Sequence, residues 1–308
     1  MQRTRREVLD ALADGPVSGP SLAASLDISR AAVWKHVEAL RDAGFDIESG
    51  RNGYTLASVP EFGAATVEFE LDAPYEVEYH DTIGSTNARA RELAAEGAGE
   101  TIVLADEQTG GRGRLDREWS APSGGLWFSV LCRPTLAPAQ VPVYTLAAAV
   151  ATTEAVRDLG VDAGIKWPND VLVGDDERKL VGILTEMEGE ADRVSWVVVG
   201  IGVNANVDVA SVPETATTLR EQVGDVNRRV LTQAIVTRFD ELRNDPVAVT
   251  PAWRTLALTL GKRVRIETPS GDVVGAAVDI EFPGTLVIRT DDGDVRVSAG
   301  DCEHLRPV

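Results

Sequence analysis

The chain of 308 residues is acidic, with 49 Asp and Glu residues against 30 Lys and Arg residues and a formal net charge of −19. Its length exceeds that of one typical domain, and its hydrophobic fraction of 44% can fill two or three cores. No apolar run approaches the roughly 18 residues of a membrane-spanning helix, and no signal-peptide pattern follows the N-terminus. Cys132 and Cys302 lack the spacing of metal ligands. These features predict a cytoplasmic α+β protein of several domains and exclude a membrane partner.

The first 60 residues differ in charge from the rest of the chain. They hold seven basic and eight acidic side chains, a net of −1, which leaves −18 for residues 61–308. Apolar residues at helical spacing predict helices over 4–13, 18–26 and 30–43, and an Asn-Gly turn predicts a hairpin over 45–56. Three helices followed by a hairpin are typical of a winged helix-turn-helix. We therefore predict a DNA-binding domain over residues 1–57.

The predicted DNA contacts begin the third helix and occupy the tip of the hairpin. They are Ser29, Arg30, Trp34, Lys35 and Arg51. A net charge near zero departs from the strongly basic surface that DNA-binding domains usually carry. A winged helix that binds protein or is purely structural is therefore the alternative. In a very salty cell, base contacts would supply more of the affinity than counterion release.

After a predicted linker over 58–74, strand and helix patterns alternate and predict a second domain over residues 75–260. Strands are predicted at 76–80, 101–105, 126–132 and 193–202, and helices at 86–96, 140–159 and 227–243. This alternation is typical of an α/β or α+β domain with a mixed sheet.

The pattern changes again at residue 261, where turns separate about five short strands. The turns are at 268–271, 282–284 and 291–293. We predict a small β-barrel domain over residues 261–308. The residues alone do not distinguish an SH3-like barrel from an OB-like barrel.

A cationic, glycine-rich segment interrupts the central domain, with Arg112, Arg114 and Arg117 inside six residues of an acidic chain. Because like charges repel, their clustering indicates an anionic ligand. Glycine lets backbone N–H groups approach such a ligand closely, and arginine supplies planar, paired donors for phosphate or carboxylate. An ordinary flexible surface loop is the alternative for this segment taken alone.

Lysine is rare in this chain, since only four of the 30 basic residues are lysines. Lys166 lies in Lys-Trp-Pro-Asn-Asp and Lys179 in Arg-Lys-Leu-Val-Gly. A turn predicted at 174–177 would place both lysines on one β-hairpin. The compact charge of lysine suits a single phosphate or carboxyl oxygen. We predict that both lysines bind an anion, with solvated surface lysines as the alternative.

These segments, in this order and spacing, resemble the biotin protein ligase family, also called biotin–[acetyl-CoA-carboxylase] ligases. Two further segments add to the resemblance, Ser-Thr-Asn at 85–87 and Gly-Ile-Gly-Val-Asn at 200–204. The ordered occurrence of five motifs is far more specific than any one of them. The N-terminal module likewise resembles the repressor domain of bifunctional family members. The resemblance implies a class II aminoacyl-tRNA synthetase-like central domain and an SH3-like C-terminal domain.

The resemblance also implies a reaction. Biotin and ATP, with Mg²⁺, would form biotinyl-5′-AMP, and biotin would then pass to a lysine of a biotin carboxyl carrier domain. Operator DNA is the second expected partner, bound by a homodimer loaded with biotinyl-AMP that acts as a biotin-responsive repressor. Both chemical steps develop negative charge on oxygen, so fixed cations and N–H donors are the expected catalytic groups.

Carried over residue by residue, the resemblance implies several sets of site residues. The biotin set is Ser85, Thr86, Asn87, Gln108, Arg112, Gly113, Arg114 and Lys179. The nucleotide set is Arg114, Arg117, Trp119, Lys166, Asn169 and Asn204. The catalytic set is Lys179, Arg114 and Arg112, and Asp170 is the expected ligand of Mg²⁺. Plain core packing is the alternative for Trp119.

Two other functions fit parts of the pattern. A lipoate or octanoyl ligase would share the fold and an analogous adenylate, but the Gly-Arg-Gly-Arg and Lys-Trp-Pro-Asn-Asp segments favour biotin. A transcription factor whose enzyme-like domain only senses a ligand would not need the cations Arg112, Arg114 and Lys179.

The acidic, arginine-rich composition indicates adaptation to high salt, with an acidic protein from a GC-rich genome as the alternative.

Overall fold

The computed structural model describes residues 3–305, apart from the side chain of Asp116. The outer ends of the predicted domains 1–57 and 261–308 therefore lie outside the described residues. Within this range the chain forms a two-stranded hairpin, a seven-stranded mixed sheet and a five-stranded antiparallel sheet. No helix of the described range is long and apolar enough to cross a membrane.

The N-terminal part consists of three helices and a hairpin, as predicted. Its elements are α1 (Arg3–Ala13), α2 (Gly19–Ser25), α3 (Arg30–Asp42), β1 (Asp46–Gly50) and β2 (Gly53–Ser58). Ser18 and Ser29 begin α2 and α3, because each side-chain oxygen accepts from a backbone N–H three residues on. Leu9, Val37 and Phe45 are buried in a core of their own.

The segment predicted as a linker contains a short helix, α4 (Ala64–Glu68), and packs against both of its neighbours. Val67 is buried in the core of the seven-stranded sheet. Phe69 enters the N-terminal core instead, edge-on to Phe45 with ring centroids 6.2 Å apart. Arg6 of α1 donates to two carbonyl oxygens of the segment. Residues 64–71 contain no Gly or Pro, so the stretch can form a helix and bury its apolar side chains.

The seven-stranded sheet forms the middle of the molecule. Its strands are β3 (Glu76–Ile83), β4 (Thr101–Gln108), β5 (Leu126–Cys132), β6 (Ala163–Lys166), β7 (Asp170–Val173), β8 (Arg178–Gly189) and β9 (Val194–Val203). Their order is β3-β4-β5-β9-β8-β7-β6. Only β3 and β4 are parallel, and the other neighbouring pairs are antiparallel. The mixed sheet was predicted.

Helices cover both faces of this sheet. They are α5 (Thr86–Ala95), α6 (Pro142–Arg157), α7 (Leu219–Val223), α8 (Arg228–Asn244) and α9 (Pro246–Leu256). Val103 of β4 packs with α5, whereas its neighbours Ile102 and Leu104 lie in the core with α6. Since successive strand residues face opposite ways, α5 and α6 cover opposite faces. The helix α9 is not among the predicted helices, because Pro246 and Pro251 are helix-breaking signals.

The two lysine segments lie on three strands and not on one hairpin, which corrects the prediction. Lys166 ends β6, and a turn at 167–169 reverses the chain into β7. The predicted turn at 174–177 then leads to Lys179 in β8. The extra reversal has a physical reason, since Pro168 cannot donate to a ladder and stops the strand.

The C-terminal part is an antiparallel sheet of five strands, the number predicted. The strands are β10 (Arg263–Thr268), β11 (Gly271–Glu281), β12 (Thr285–Thr290), β13 (Gly293–Val297) and β14 (Asp301–His304). Their order is β13-β12-β11-β10-β14. The sheet is joined to the rest of the molecule by Trp167, whose indole N–H donates to the carbonyl oxygen of Gly284 at 3.0 Å.

A histidine whose side chain is only 8% exposed also joins the C-terminal sheet to the lysine strands. His304 Nε2 lies 2.9 Å from Thr259 Oγ1, which accepts the backbone N–H of Trp167 and is left with a hydrogen to donate. His304 Nδ1 lies 2.9 Å from a carboxylate oxygen of Glu177, which favours a protonated ring. Burial and the charges of Lys262 and Lys166 oppose protonation and prevail, lowering the pKa of His304 to about 4.

We expect the free energy of unfolding to fall as the pH decreases from about 6.5 to 4. In this window the unfolded chain binds a proton on His304 that the folded chain does not. Above pH 6.5 His304 is neutral in both the folded and the unfolded state, so it does not contribute to the pH dependence of the free energy of unfolding. The shift corresponds to at most about 3 kcal/mol. Denaturant titrations of the wild type and of His304→Gln measure the difference, and equal pH dependence of the two would contradict the prediction.

Candidate active site

A cavity of about 250 Å³ opens over the middle of the seven-stranded sheet, beside the start of α5. Residues of β8 and β9, the end of β4 and the start of α5 line it. The segment 110–119, which we call the cationic loop, contributes Arg112, Arg114 and Arg117. Asp301 of the C-terminal sheet completes the lining. Segments that are far apart in the sequence therefore meet at one site.

The cavity gathers most of the residues predicted from the sequence. All eight members of the predicted biotin set line it, as do Arg117, Trp119 and Asn169 of the nucleotide set and Asp170, the predicted metal ligand. Lys166 and Asn204 do not line it. Lys166 is half-buried at the end of β6, and Asn204 is buried and donates to the carbonyl oxygen of Thr217 at 3.0 Å. Their contacts with a nucleotide stay predictions.

Trp119 packs over the sheet where the neighbouring strands β8 and β9 each carry a glycine, which leaves space for its ring. A Cβ atom on Gly182 would lie 2.8 Å from its ring, and one on Gly202 would lie 3.0 Å from its indole nitrogen. These glycines are direct partners in the register of β8 and β9. The indole N–H is buried and donates to no described protein atom. Trp119 therefore forms part of the cavity wall, and its indole N–H can donate to a ligand.

The cations around the cavity are held by fixed partners. Lys179 Nζ lies 2.7 Å from Asp170 Oδ1 and 5.1 Å from the centroid of the Trp119 ring. The carboxylate oxygen accepts no aligned hydrogen bond, so the contact is an ion pair. Arg114 donates to Asn169 Oδ1 at 3.0 Å and to the carbonyl oxygen of Gly300 at 2.6 Å.

The C-terminal sheet also holds the other end of the cationic loop. Arg117 pairs with Asp301 at 2.5 Å, and Arg112 forms a backbone bridge with Glu118. Sequence reasoning missed Asp301, because its contact spans 184 residues and one more aspartate does not stand out in an acidic chain. The loop is thus positioned by a part of the chain that carries none of the recognised motifs.

The polar end of the cavity is built at the start of α5. Ser85 begins the helix, with its hydroxyl oxygen accepting the N–H of Ala88. Gln108 Oε1 accepts the backbone N–H of Thr86 at 2.8 Å and lies 3.0 Å from the threonine hydroxyl. The cavity is also lined by apolar residues that sequence reasoning missed. They are Phe128, Ile183, Leu184, Ile201 and Pro213.

The five predicted DNA contacts are all exposed on one part of the N-terminal fold. Ser29, Arg30, Trp34 and Lys35 lie in or just before the first turns of α3, and Arg51 lies at the tip of the β1–β2 hairpin. Trp34 is 54% exposed, which is unusual for so large an apolar side chain. Arg30 and Trp34 line a groove of about 520 Å³ between α3 and the hairpin.

Comparison with known proteins assigns all three parts of the chain. Residues 80–204 match the Biotin/lipoate A/B protein ligase family, residues 4–55 match an HTH domain and residues 259–305 match the Biotin protein ligase C terminal domain. The bifunctional ligase/repressor BirA of Bacillus subtilis (strain 168) is 37% identical over 305 residues, 93% of each chain.

Two further similarities cover the part of the chain that contains the cavity. The biotin–[acetyl-CoA-carboxylase] ligase of Mycobacterium tuberculosis is 37% identical over 237 residues, 72% of this chain and 86% of that protein. The structure of the biotin protein ligase from Aquifex aeolicus in complex with biotin and ATP superposes with a TM-score of 0.62 at 28% identity. It covers 75% of this chain and 99% of the Aquifex chain. This chain therefore belongs to the biotin protein ligase family, in the branch that carries an N-terminal helix-turn-helix domain.

Proposed function

We propose that the chain is a biotin protein ligase that also represses transcription in response to biotin. The carboxylate of biotin attacks the α-phosphorus of ATP, so biotinyl-5′-AMP forms and pyrophosphate leaves. The amine of an acceptor lysine in a biotin carboxyl carrier domain then attacks the carbonyl carbon, AMP leaves and an amide forms. The observation that carries the proposal is the single cavity that gathers the Ser-Thr-Asn, Gly-Arg-Gly-Arg and Lys179 segments.

Lys179, Arg112 and Arg114 act on the negative charge that develops in both steps. Lys179 exchanges its ion pair with Asp170 for a phosphate oxygen, which its compact ammonium suits. Arg114 is already fixed by Asn169 and Gly300, so its guanidinium needs little reorganisation as charge builds up. Gly113 lets the backbone of the cationic loop come close to the same anion.

The nucleotide binds over the glycines of β8 and β9, with Trp119 beside its base and Arg117 near its phosphates. The unpaired indole N–H of Trp119 supports this assignment, because a buried donor calls for an acceptor. Asn204 acts by holding the strand that carries Lys179, since its backbone N–H donates to the carbonyl oxygen of Leu180 at 3.0 Å. Lys166 approaches the site from the end of β6.

Asp170 would supply one carboxylate oxygen to a Mg²⁺ ion bound to the phosphates of ATP. The Oδ1 atom of Asp170 is buried and lacks an aligned donor, so it fits a cation ligand. Among the described residues no group of three His, Cys, Asp or Glu side chains could form a protein-only metal site. Phosphate oxygens and water would therefore complete the coordination shell, as Mg²⁺ usually requires. The ion would neutralise phosphate charge.

The finer fold assignments follow from the same family. The mixed sheet with helices on both faces supports a class II aminoacyl-tRNA synthetase-like catalytic domain over 75–260. The five antiparallel strands support an SH3-like domain over 261–308, and the helices with the hairpin support a winged helix over 1–57. A cytoplasmic location fits the ligase reaction, and the acidic surface fits a salty cytoplasm.

The repressor function uses the N-terminal groove. Arg30, Trp34 and Lys35 are exposed along α3, as residues that enter a major groove must be, and Arg51 extends from the hairpin. The state that binds operator DNA is a homodimer loaded with biotinyl-AMP. In a salty cytoplasm, base contacts contribute more to the affinity for DNA than counterion release does.

We expect pyrophosphate release from biotin, ATP and Mg²⁺, with about 100-fold slower release in Lys179→Ala. The α-phosphate then loses the charge that faces it, and losing one such stabilising donor costs about that factor or more. The variant keeps the fold because the lysine is half-buried at the rim of the cavity.

The matched control is Lys35→Ala, which removes an exposed lysine that does not line the cavity. Wild-type release rates in Lys179→Ala would remove the main support for the catalytic set. Activation of lipoate in place of biotin would contradict the substrate, and binding of biotin without any turnover would favour a ligand-sensing transcription factor.

We expect Gly202→Ala to raise the KM for ATP about tenfold while it leaves the affinity for biotin nearly unchanged. The added Cβ would lie 3.0 Å from the Trp119 nitrogen and push the ring away from the nucleotide. Gly99→Ala is the matched control, since a Cβ there meets no atom within 4 Å. Steady-state kinetics measure both constants, and an unchanged KM for ATP would show that Trp119 does not hold the base.

We expect a chain that lacks residues 1–57 to ligate biotin but not to bind DNA. The connecting segment complicates the experiment, because deletion exposes Phe69, which the N-terminal core otherwise covers. The truncated chain is therefore best prepared with Phe69→Ser. A mobility-shift assay of the full chain on the promoter of its own gene, with biotin and ATP, tests the other half. Loss of ligation by the truncated chain would contradict the prediction.

A further inference from the structure

A chain of buried and part-buried hydrogen bonds runs behind the polar end of the cavity through two residues that do not line it. Ser129 of β5 is fully buried, and its Oγ lies 2.5 Å from Asn87 Oδ1 and 2.8 Å from Thr86 Oγ1. The amide nitrogen of Asn87 donates to Glu186 Oε2 on β8 at 2.8 Å. Thr86 Oγ1 lies 3.0 Å from Gln108 Oε1 at the other end of the chain.

Glu186 determines which way the Asn87 amide points. A carboxylate only accepts hydrogen bonds, so it selects the NH₂ group of Asn87 and turns Oδ1 toward Ser129. Arg91 pairs with the second carboxylate oxygen at 2.9 Å and holds it in place. The amide also donates to the carbonyl oxygen of Leu184 at 3.3 Å, so both of its hydrogens are used within the protein. Asn87 therefore has no N–H left for a ligand.

The space for this amide comes from the facing strand. A Cβ atom on Gly200 of β9 would lie only 2.1 Å from Asn87 Oδ1. Asn87 itself is 7% exposed, although it is part of the cavity wall. The nitrogen and the oxygen of the amide are thus both engaged by protein groups, which indicates a supporting role.

The oxygen–oxygen contacts in this chain of hydrogen bonds need one more hydrogen than the hydroxyl groups supply. Three oxygen–oxygen contacts link Asn87, Ser129, Thr86 and Gln108, but only Ser129 and Thr86 carry hydroxyl hydrogens. Ser129 must donate to Asn87 Oδ1, which has no hydrogen of its own. The Thr86 hydroxyl donates to Gln108 Oε1, so the single Ser129 hydrogen is shared between Asn87 Oδ1 and Thr86 Oγ1. The remaining lone pair of Thr86 Oγ1 is then open to a donor from the cavity.

We propose that Ser129 and Glu186 are positioning residues for biotin, which act through Asn87 and hold Thr86 Oγ1 as an acceptor for a ligand N–H. The proposal rests on the proposed function, which supplies a ligand with such donors in the ureido ring of biotin. Neither residue touches the ligand. Their removal should therefore weaken biotin binding without affecting the nucleotide half of the site.

The test compares biotin affinity, measured by calorimetry without ATP, with the KM for ATP and with kcat. Ser129→Ala should weaken biotin binding about tenfold, which corresponds to about 1.4 kcal/mol, with the KM for ATP within twofold of wild type. Glu186→Met removes the acceptor that orients Asn87 and should have the same effect. Glu186→Gln keeps an acceptor for the amide and should restore affinity to within about threefold of wild type.

Two control variants separate positioning from general destabilisation. Thr153→Ala removes another fully buried hydroxyl, which donates within α6 at 2.7 Å, and should lower the melting temperature without changing biotin affinity. Arg91→Met removes the ion pair of Glu186 but leaves the contact with Asn87, and should behave like wild type.

Biotin affinity within twofold of wild type in both Ser129→Ala and Glu186→Met would overturn the inference. An equal loss of biotin and ATP binding would also overturn it, since that pattern indicates a disturbed fold. If Ser129→Ala does not fold, the biotin affinity of Glu186→Met alone tests the inference. Glu186 is half-exposed, so its substitution should leave the fold intact. A wild-type protein that does not bind biotin would overturn the proposed function together with the inference. Normal binding in the wild type with unaffected variants would overturn the inference only.

Discussion

Three glycines at the centre of the seven-stranded sheet make the cavity possible. A side chain on Gly182 would collide with Trp119, one on Gly202 would crowd the same ring, and one on Gly200 would collide with Asn87. The central strands of a sheet covered on both faces normally fill both faces with apolar side chains at high density. Here the missing side chains leave room for an indole and an amide instead. The rest of the site, including the hydrogen-bonded start of α5 and the cationic loop, is arranged around that space.

The charges of the site show a second constraint. The chain carries a net charge of −19, yet its cavity collects cations to receive anionic molecules. Each described ion pair there joins a cation to a carboxylate, as in Lys179 with Asp170 and Arg117 with Asp301. Local attraction at contact distance therefore has to overcome repulsion from the acidic surface at long range. Salt weakens the long-range part first, since the screening length is about 8 Å at physiological ionic strength and about 3 Å at 1 M.

The parts that were predictable from the sequence rest on local patterns. Helical spacing, turn residues and short motifs identified the helix-turn-helix, the mixed sheet, the five C-terminal strands and the segments that line the cavity. The contributions that were missed depend on tertiary contacts. Ser129 and Glu186 lie on ordinary strand positions, and Asp301 meets the cationic loop across 184 residues. The turn at 167–169 is not predicted, because the strand-like residues on both sides of it outweigh the single turn signal of Pro168.

The connecting segment has a consequence for how such proteins fold and evolve. Val67 and Phe69 are two positions apart but belong to different cores, so neither core is complete without the same short stretch of chain. The unfolding of the helix-turn-helix should therefore be coupled to that of the connecting segment, which supplies Phe69 to its core. A recombination event that exchanged the N-terminal module at residue 57 would leave Phe69 facing a foreign core. A compatible crossover lies beyond residue 71, where the module and its connecting residues are inherited together.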